Sequence, residues 1–312
     1  MSGEVDLFTF DPGLLLPAEK RPRIRRGGWA WGPVEGAKLR VMSNGGGIQS
    51  STLIMMMCVG DLPWVDHIIH ADVGDESAAT MRHLDWLDAQ ILRYSNGRVE
   101  THRVGRGGRL SDRIRNRAAG RGTLSNDRFV SAPFYTSGGK SGRGGQGRRQ
   151  CTREFKIEPL EKKLRALLGY APRQRVPSRS CEVWIGITTD EVVRAGAAFT
   201  SWTVNRYPLL EKRMSRTDCI LWLQSRGFPV PPKSACIFCP YKTDAEWRWL
   251  RDNDPQAWAD AIEIDRLIRN APGMRQQEFL HRSRRPLDEV DLSTSEDHGQ
   301  GLLMVCEAGC GL

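Results

Sequence analysis

At 312 residues the chain is long enough to bury a substantial core, and its hydrophobic fraction of 39% is typical of a soluble globular protein. No stretch approaches the roughly 18 apolar residues of a membrane span and the N-terminus lacks a signal-peptide core, so we expect a cytoplasmic protein without a membrane partner. The formal net charge is +9, and it is concentrated between residues 98 and 149, where twelve arginines and one lysine face three acidic residues. Such a segment favours a phosphate-bearing partner, either nucleic acid or a nucleotide, with a solvated loop as the alternative.

Composition along the chain predicts three regions. Residues 1–36 show no sustained periodicity and are predicted to be an N-terminal extension. Residues 37–230 are predicted to form a nucleotide-binding α/β domain that carries the Arg/Gly-rich segment 98–149 as an insertion. Residues 231–312 are predicted to be a helical, cysteine-containing C-terminal region. Gly138–Gly147 is too rich in glycine for regular structure, so we expect a mobile lid or substrate loop there.

The segment from Leu39 to Cys58 is predicted to form a strand, a phosphate-binding loop and a helix. Consecutive glycines let the backbone approach a ligand closely, and the unpaired N–H groups at a helix N-terminus attract anions. The segment contains neither the G-x-x-x-x-G-K-[ST] nor the G-x-G-x-x-G pattern, and a tight turn without a ligand is the alternative. The candidate nucleotide-binding residues here are Ser43, Gly45, Gly46, Gly47, Gln49, Ser50 and Ser51.

Residues Gly45 to Ser50 resemble the S-G-G-x-D-S loop of the PP-loop ATP pyrophosphatase superfamily. The chain departs from that pattern by a glycine at the first serine position and by Gln49 in place of the aspartate. The resemblance implies an adenine-nucleotide α-hydrolase-like (Rossmann-like) fold, which is a parallel sheet flanked by helices, and it implies ATP with Mg²⁺ as the ligand. The two departures put the detailed phosphate or metal geometry in question.

A second buried strand is predicted over Trp64 to Asp72, and acidic residues follow it. Ligands of open α/β sheets bind at the carboxyl ends of strands, so these acids are candidate site residues, with capping of the next helix as the alternative. In the superfamily the corresponding F-x-D-T-G-x-E segment contacts adenosine. The residues that match it here are Asp72, Gly74 and Glu76.

Two later segments are similar to the phosphoadenylyl- and adenylyl-sulfate (PAPS and APS) reductases. The first runs from Arg148 to Leu164, where Arg153 and Lys156 precede a predicted helix and are placed to hold an anion. The second follows a predicted strand over Val183 to Ile187. Gly186, Glu191 and Arg194 carry this likeness, which implies phosphate recognition by Arg194; a surface ion pair between Asp190 and Arg194 is the alternative.

Cys236 and Cys239 form the strongest metal-binding signal because C-x-x-C spacing lets two thiolates converge on one centre. Two ligands are too few, and the nearest further candidates in sequence are Cys151, Cys181 and Cys219. In cluster-bearing relatives a cysteine pair near the position of Cys151 ligates iron. We therefore expect a 4Fe–4S iron–sulfur cluster, with zinc and thiol redox chemistry as alternatives.

The chain ends in V-C-E-A-G-C-G-L, which places Cys306 and Cys310 near the C-terminus. In the sulfonucleotide reductases a C-terminal E-C-G-[IL]-H segment carries the catalytic cysteine, and the tail of this chain is only loosely similar. The tail cysteines are candidate catalytic residues, together with Arg194. Completion of a cluster and no role at all are the other interpretations.

Taken together, the resemblance implies an enzyme that cleaves ATP, adenylates a substrate and transfers sulfur, acting on nucleic acid in one version of this prediction. Reduction of an adenylyl sulfate is the second hypothesis. The third is a nucleotide-binding or nucleic-acid-binding protein without catalysis, which Gln49 supports. Expected partners are an adenine nucleotide, nucleic acid at residues 98–149, a sulfur donor such as a cysteine desulfurase or a thiol reductant, and a second copy in a homodimer.

Overall fold

The structure, a computed structural model, describes residues 27–120, 132–138, 144–272 and 276–293. The backbone divides into two compact units. Unit 1 comprises Met1–Gly107 and Glu154–Ser234, and unit 2 comprises Gly108–Arg153 and Ala235–Leu312. Most of the segment predicted as an insertion, 98–149, is therefore grouped with the C-terminal region.

The strands form two separate sheets. Six parallel strands make up the sheet of unit 1, in the order β1-β8-β7-β2-β3-β4, and three short antiparallel strands make up that of unit 2, in the order β6-β5-β9. The parallel sheet confirms the predicted α/β fold class. The strands are β1 (Gly28–Ala30), β2 (Leu39–Asn44), β3 (His67–Ala71), β4 (Glu100–Val104), β5 (Tyr135–Thr136), β6 (Gly145–Gln146), β7 (Cys181–Ile185), β8 (Thr203–Arg206) and β9 (Glu278–Phe279).

The helices agree with the sequence periodicity. The predicted helix after the glycine loop is confirmed, and two helices that meet at Asp254 lie in the C-terminal region that was predicted to be helical. A π-helical turn over Thr152–Ile157 precedes α4, and a 3-10 turn covers Thr189–Arg194. The helices are α1 (Ile48–Cys58), α2 (Ala78–Ser95), α3 (Leu110–Ala118), α4 (Glu158–Leu167), α5 (Pro208–Glu211), α6 (Arg216–Ser225), α7 (Asp244–Asn253) and α8 (Pro255–Arg269).

The parallel sheet of unit 1 is covered on both faces. Successive side chains of a strand point to opposite faces, so Met42 packs with α1 on one face while Val41 packs with Leu164 of α4 on the other. Ten of the eleven residues of helix α1 are buried. A helix with apolar residues on nearly all sides is expected to lie inside the core in this way. The fixed position of α1 in the core is what holds the glycine loop in place.

Unit 2 is built around α3, α7, α8 and the short antiparallel sheet. Asp265 of α8 is fully buried, accepts hydrogen bonds from the backbone N–H groups of Leu280 and Leu287, and pairs with Arg269.

The segment Gly138–Gly147 was predicted to lack regular structure, but Gly145–Gln146 forms a short strand that pairs with β5. Backbone hydrogen bonds are enough for this pairing, so the amino-acid composition of the segment does not predict it.

One edge of the parallel sheet lies nearer the N-terminus than the sequence predicted. Residues 28–30, which fall inside the predicted N-terminal extension, form the edge strand β1 and pair with β8. A three-residue strand leaves almost no periodic pattern in a sequence, so its position comes only from the backbone pairing.

Among the described residues, no helix has the length and apolar character that crossing a membrane requires.

Candidate functional site

The glycine loop lies between the carboxyl end of β2 and the first turn of α1. Gly46 has a φ of +71°, a left-handed conformation that glycine adopts without steric cost. The Asn44 side chain accepts a hydrogen bond from the Gly46 N–H at 2.8 Å and so closes the turn. No acidic residue occupies the first turn of α1, so the partial positive charge of its N-terminus is not offset there. The loop has the features of an anion site.

Two neighbouring segments hold this loop from outside. A Cβ atom built on Gly186, after β7, would lie 3.1 Å from the backbone of Gln49 and Ser50, so any larger residue would have to displace that backbone by a few tenths of an ångström. The Ser234 hydroxyl donates a hydrogen bond to the Gly45 carbonyl. The predicted loop residues and Gly186 are therefore brought together by the fold.

The hydroxyl of Ser51 is hydrogen-bonded to His83 Nε2 at 2.8 Å, and the His83 ring stacks on Trp86. His83 belongs to α2 and is 8% exposed. Burial lowers the pKa of His83 from 6.5 to about 4, because a charged imidazole would lose its hydration there. The imidazole under the loop is thus neutral at neutral pH.

This lowered pKa makes the stability of unit 1 depend on pH. Below pH 6.5 the unfolded chain binds a proton at His83 while the folded chain does not, so the stability falls as the pH drops from 6.5 towards 4 and is unaffected above 6.5. Between pH 7 and pH 5 we expect His83 to cost about 2 kcal/mol. Urea unfolding at both pH values measures this loss, which should be smaller in His83→Gln. An equal loss in both proteins would contradict the assignment.

The acids after β3 form the second part of the site. The Glu76 side chain is completely buried, and one of its oxygens lies 3.5 Å from Lys156 Nζ. Asp72 accepts a hydrogen bond from the Gly74 N–H at 2.7 Å and shapes the turn that leads to Glu76. The structure thus brings the predicted residues Asp72, Gly74, Glu76 and Lys156 together at the carboxyl end of β3.

Three buried polar atoms at this edge of the sheet have no hydrogen-bond partner within the described part of the chain: His70 Nε2, Glu76 Oε2 and Thr188 Oγ1. Buried polar atoms are nearly always paired, so each of them calls for a ligand or a water molecule. The Nδ1–H of His70 donates to the Asn44 carbonyl at 2.9 Å, which leaves Nε2 as an acceptor. Two of the three atoms, those of His70 and Glu76, are therefore hydrogen-bond acceptors.

Gln49 and Arg194 are linked through Glu191. The Gln49 side-chain amide donates to one Glu191 oxygen at 3.4 Å, and Arg194 pairs with the other oxygen at 2.5 Å. The Arg194 side chain is 57% exposed, so solvent screens this pair. The observed partner of Arg194 is Glu191 rather than Asp190, and its predicted phosphate contact stays a prediction.

In unit 2 the described cysteines are Cys151, Cys236 and Cys239, all half-buried. The C-x-x-C segment forms a tight turn in which the Cys239 N–H donates to the Cys236 carbonyl at 3.0 Å. Cys236 and Cys239 lie on this turn, and Cys151 belongs to the same unit. Cysteine thiolates are the usual ligands of an iron–sulfur cluster, in which they bind different iron atoms. Their metal-binding role stays a prediction.

Cys219 has a different environment in unit 1. It is fully buried on α6, packed in the apolar cluster around α1. Burial raises the pKa of its thiol to about 11, which disfavours the thiolate form that binds metals. This is the environment of a core cysteine, and its ligand role stays a prediction. The predicted catalytic residues Cys306 and Cys310 lie outside the described residues.

Four residues around the site were not predicted from the sequence: His70, His83, Thr188 and Ser234. A histidine inside an apolar strand, such as His70, was the available signal, because strands of a parallel sheet are otherwise apolar. Ser234 gave no signal, since it contacts the loop across 189 positions of sequence.

No protein-family model matches the sequence. No curated protein matches it either. Among solved structures, the chain is similar to phosphoadenylyl-sulfate (PAPS) reductase from Candida auris in a phosphate complex, at 12% sequence identity and a TM-score of 0.38, over 62% of this chain and 75% of that chain. At this level of similarity the match carries no argument about activity or substrate.

Proposed function

We propose that unit 1 binds an adenine nucleotide, with ATP preferred, and that the chain uses it to adenylate a substrate before sulfur transfer. The observation that carries the proposal is the separation of hydrogen-bonding groups along one edge of the sheet. Donors are grouped at the N-terminus of α1, whereas the buried acceptor of His70 lies in the neighbouring strand β3 and that of Glu76 lies after it. A nucleotide has the complementary arrangement, because phosphates accept hydrogen bonds while ribose hydroxyls and the adenine amino group donate them.

In this mechanism the loop from Gly45 to Ser51 holds the β- and γ-phosphates. A substrate oxygen attacks the α-phosphorus, a new P–O bond forms, and pyrophosphate leaves as the bond to the β-phosphate breaks. Lys156 and Arg194 offset the negative charge that develops on the phosphates. Mg²⁺, when bound with the nucleotide, neutralises part of the triphosphate charge. The C–O bond of the adenylated substrate then breaks as a sulfur nucleophile attacks that carbon and AMP leaves.

The thiols of unit 2 support the sulfur-transfer half of the proposal. Cys151, Cys236 and Cys239 are the residues that would hold an iron–sulfur cluster, which would bind or activate sulfur. Iron and sulfide analysis of anaerobically purified protein separates a cluster from zinc. The arginine-rich segment supports nucleic acid as the acceptor, since it supplies far more positive charge than a mononucleotide needs.

Reduction of an adenylyl sulfate is the second candidate. The observation in its favour is the pair of cysteines, Cys306 and Cys310, close to the C-terminus. There a thiolate would attack the sulfur of the sulfate group and release AMP or its 3′-phosphate, and a second thiol would then release sulfite and leave a disulfide.

Lys156→Ala tests the nucleotide site, because Lys156 lies beside the buried Glu76. We expect at least a tenfold fall in pyrophosphate release from ATP, about 1.4 kcal/mol of transition-state stabilisation. Lys162→Ala is the matched control, since it removes an exposed lysine from α4 and should keep full activity.

The same assay separates the candidate functions. Pyrophosphate release that depends on nucleic acid or another acceptor supports adenylation, and sulfite from an adenylyl sulfate supports the reductase. Nucleotide binding without either product indicates a binding protein. Absence of nucleotide binding by the wild-type chain would overturn the proposal.

A further inference from the structure

Three potential metal ligands lie together at the amino ends of β3 and β4, at the other end of these strands from the glycine loop. His67 begins β3, Glu100 begins β4, and His102 lies two residues further along β4. The strands are parallel with His67 opposite Glu100, so the three side chains share one face. His102 Nε2 lies 3.1 Å from His67 Nδ1, and Glu100 Oε2 lies 3.5 Å and 3.7 Å from these two nitrogens. In the described part of the chain no other group of three such side chains has its donor atoms within 4.8 Å of one another.

These spacings match the coordination sphere of a tetrahedral ion. Zinc binds imidazole nitrogens and carboxylate oxygens at about 2.0–2.2 Å, so two ligand atoms of one tetrahedral site lie roughly 3.4 Å apart. The three observed spacings of 3.1, 3.5 and 3.7 Å scatter around that value. A metal ion could therefore bind with only small side-chain rotations, because the two strands already hold the ligands at the required separation.

The surroundings leave room for a fourth ligand. The Glu100 side chain is 68% exposed, whereas the His67 and His102 side chains are 21% and 15% exposed, so the site opens to water on the carboxylate side. Glu100 and His102 also line an open cleft of about 650 Å³ beside the edge strand β4.

We propose that His67, Glu100 and His102 form a binding site for a divalent transition-metal ion of the zinc class, with a water molecule as the fourth ligand. The two imidazoles are borderline ligands that favour such ions over Mg²⁺ and Ca²⁺, which prefer all-oxygen sites, and zinc also accepts a carboxylate ligand. The site would cross-link the edge strand β4 to β3. It lies roughly 13 Å from the carboxyl end of β3, one strand length away from the nucleotide loop, and is independent of the proposed function.

The competing explanation is a hydrogen bond between the two imidazoles, with the Glu100 carboxylate, 3.5 Å and 3.7 Å away, as an ion-pair partner of a protonated ring. Both explanations account for the 3.1 Å contact. Only the metal site requires the carboxylate for binding of an added ion, so the binding of metal to variants of Glu100 distinguishes them.

The experiment is a titration of the metal-free full chain with Co²⁺, followed by absorption. Cobalt separates this site from the cysteines of unit 2, because a nitrogen and oxygen site gives visible bands without the sulfur-to-cobalt charge-transfer absorption of a thiolate site. We expect wild type to bind one ion with the sulfur-free spectrum. His102→Ala and Glu100→Gln should each weaken that binding at least tenfold, and Zn²⁺ should displace the cobalt.

Glu35→Gln is the matched control, since it removes an exposed carboxylate elsewhere in unit 1 and should leave cobalt affinity unchanged. Glu100→Gln keeps the test meaningful if His102→Ala does not fold, because Glu100 is largely exposed and its removal leaves no cavity. Absence of the sulfur-free spectrum in wild type, or equal affinity in wild type and Glu100→Gln, would overturn the proposal and leave the hydrogen-bonded histidine pair.

Discussion

Gly186→Val is expected to reduce nucleotide binding about 100-fold, equivalent to about 2.7 kcal/mol. A Cβ at this position would already lie 3.1 Å from the backbone of Gln49 and Ser50, and the two methyl groups of valine would have to displace that backbone. The displaced atoms belong to the first turn of α1, whose N–H groups are the proposed phosphate donors. Isothermal calorimetry with ATP or a non-hydrolysable analogue measures the loss.

Gly186→Ala provides the graded comparison, because its single methyl group requires a smaller displacement and should cost less affinity than valine. Circular dichroism of both variants checks that unit 1 remains folded. Wild-type affinity in a folded Gly186→Val protein would show that the loop and the residues after β7 do not form one binding site.

Glu182→Ala is expected to lower the free energy of unfolding of unit 1 by about 3–5 kcal/mol. The Glu182 side chain is fully buried and accepts hydrogen bonds from the Val34 N–H at 2.6 Å, the Trp184 indole N–H at 2.5 Å and Arg206 at 3.1 Å. Removal of the carboxylate leaves two buried donors unpaired and takes away one of the two partners of a buried guanidinium. Urea denaturation measures the change.

Asp61→Ala is the control for this prediction. It also breaks a single acid–arginine pair, with Arg226, but both side chains are more than one-third exposed and water screens the pair. We expect a loss below about 1 kcal/mol. A similar loss of unfolding free energy in both variants would mean that the buried Glu182 carboxylate stabilises unit 1 no more than an exposed ion pair does.

Local sequence patterns predicted much of the fold of unit 1. The strand, glycine loop and helix from Leu39 to Cys58 lie where the apolar runs and glycines placed them. The strands after Trp64 and near Val183 are also confirmed. These elements were predictable because buried parallel strands are continuous apolar runs, and because helix periodicity depends on neighbours three and four residues apart.

Features that depend on pairing between distant residues were not predictable. Strand β1 and the short strand at Gly145 are held by backbone hydrogen bonds, which leave no mark on side-chain composition. The approach of Gly186 to the loop and the hydrogen bond from Ser234 join segments far apart in sequence.

For the functional site, the sequence alone identified which residue types can bind phosphate, adenosine and metal, and it placed the loop and the acids at strand ends. The sequence could not show which of these residues are buried at the site and which are paired elsewhere, because burial and hydrogen-bond partners are set only when the strands assemble. Tertiary structure buried one acceptor atom each of His70 and Glu76 without a partner among the described residues, gave Arg194 a partner in Glu191, and buried Cys219 in apolar surroundings. It also brought His67, Glu100 and His102 together, because the register of β3 against β4 sets which side chains meet.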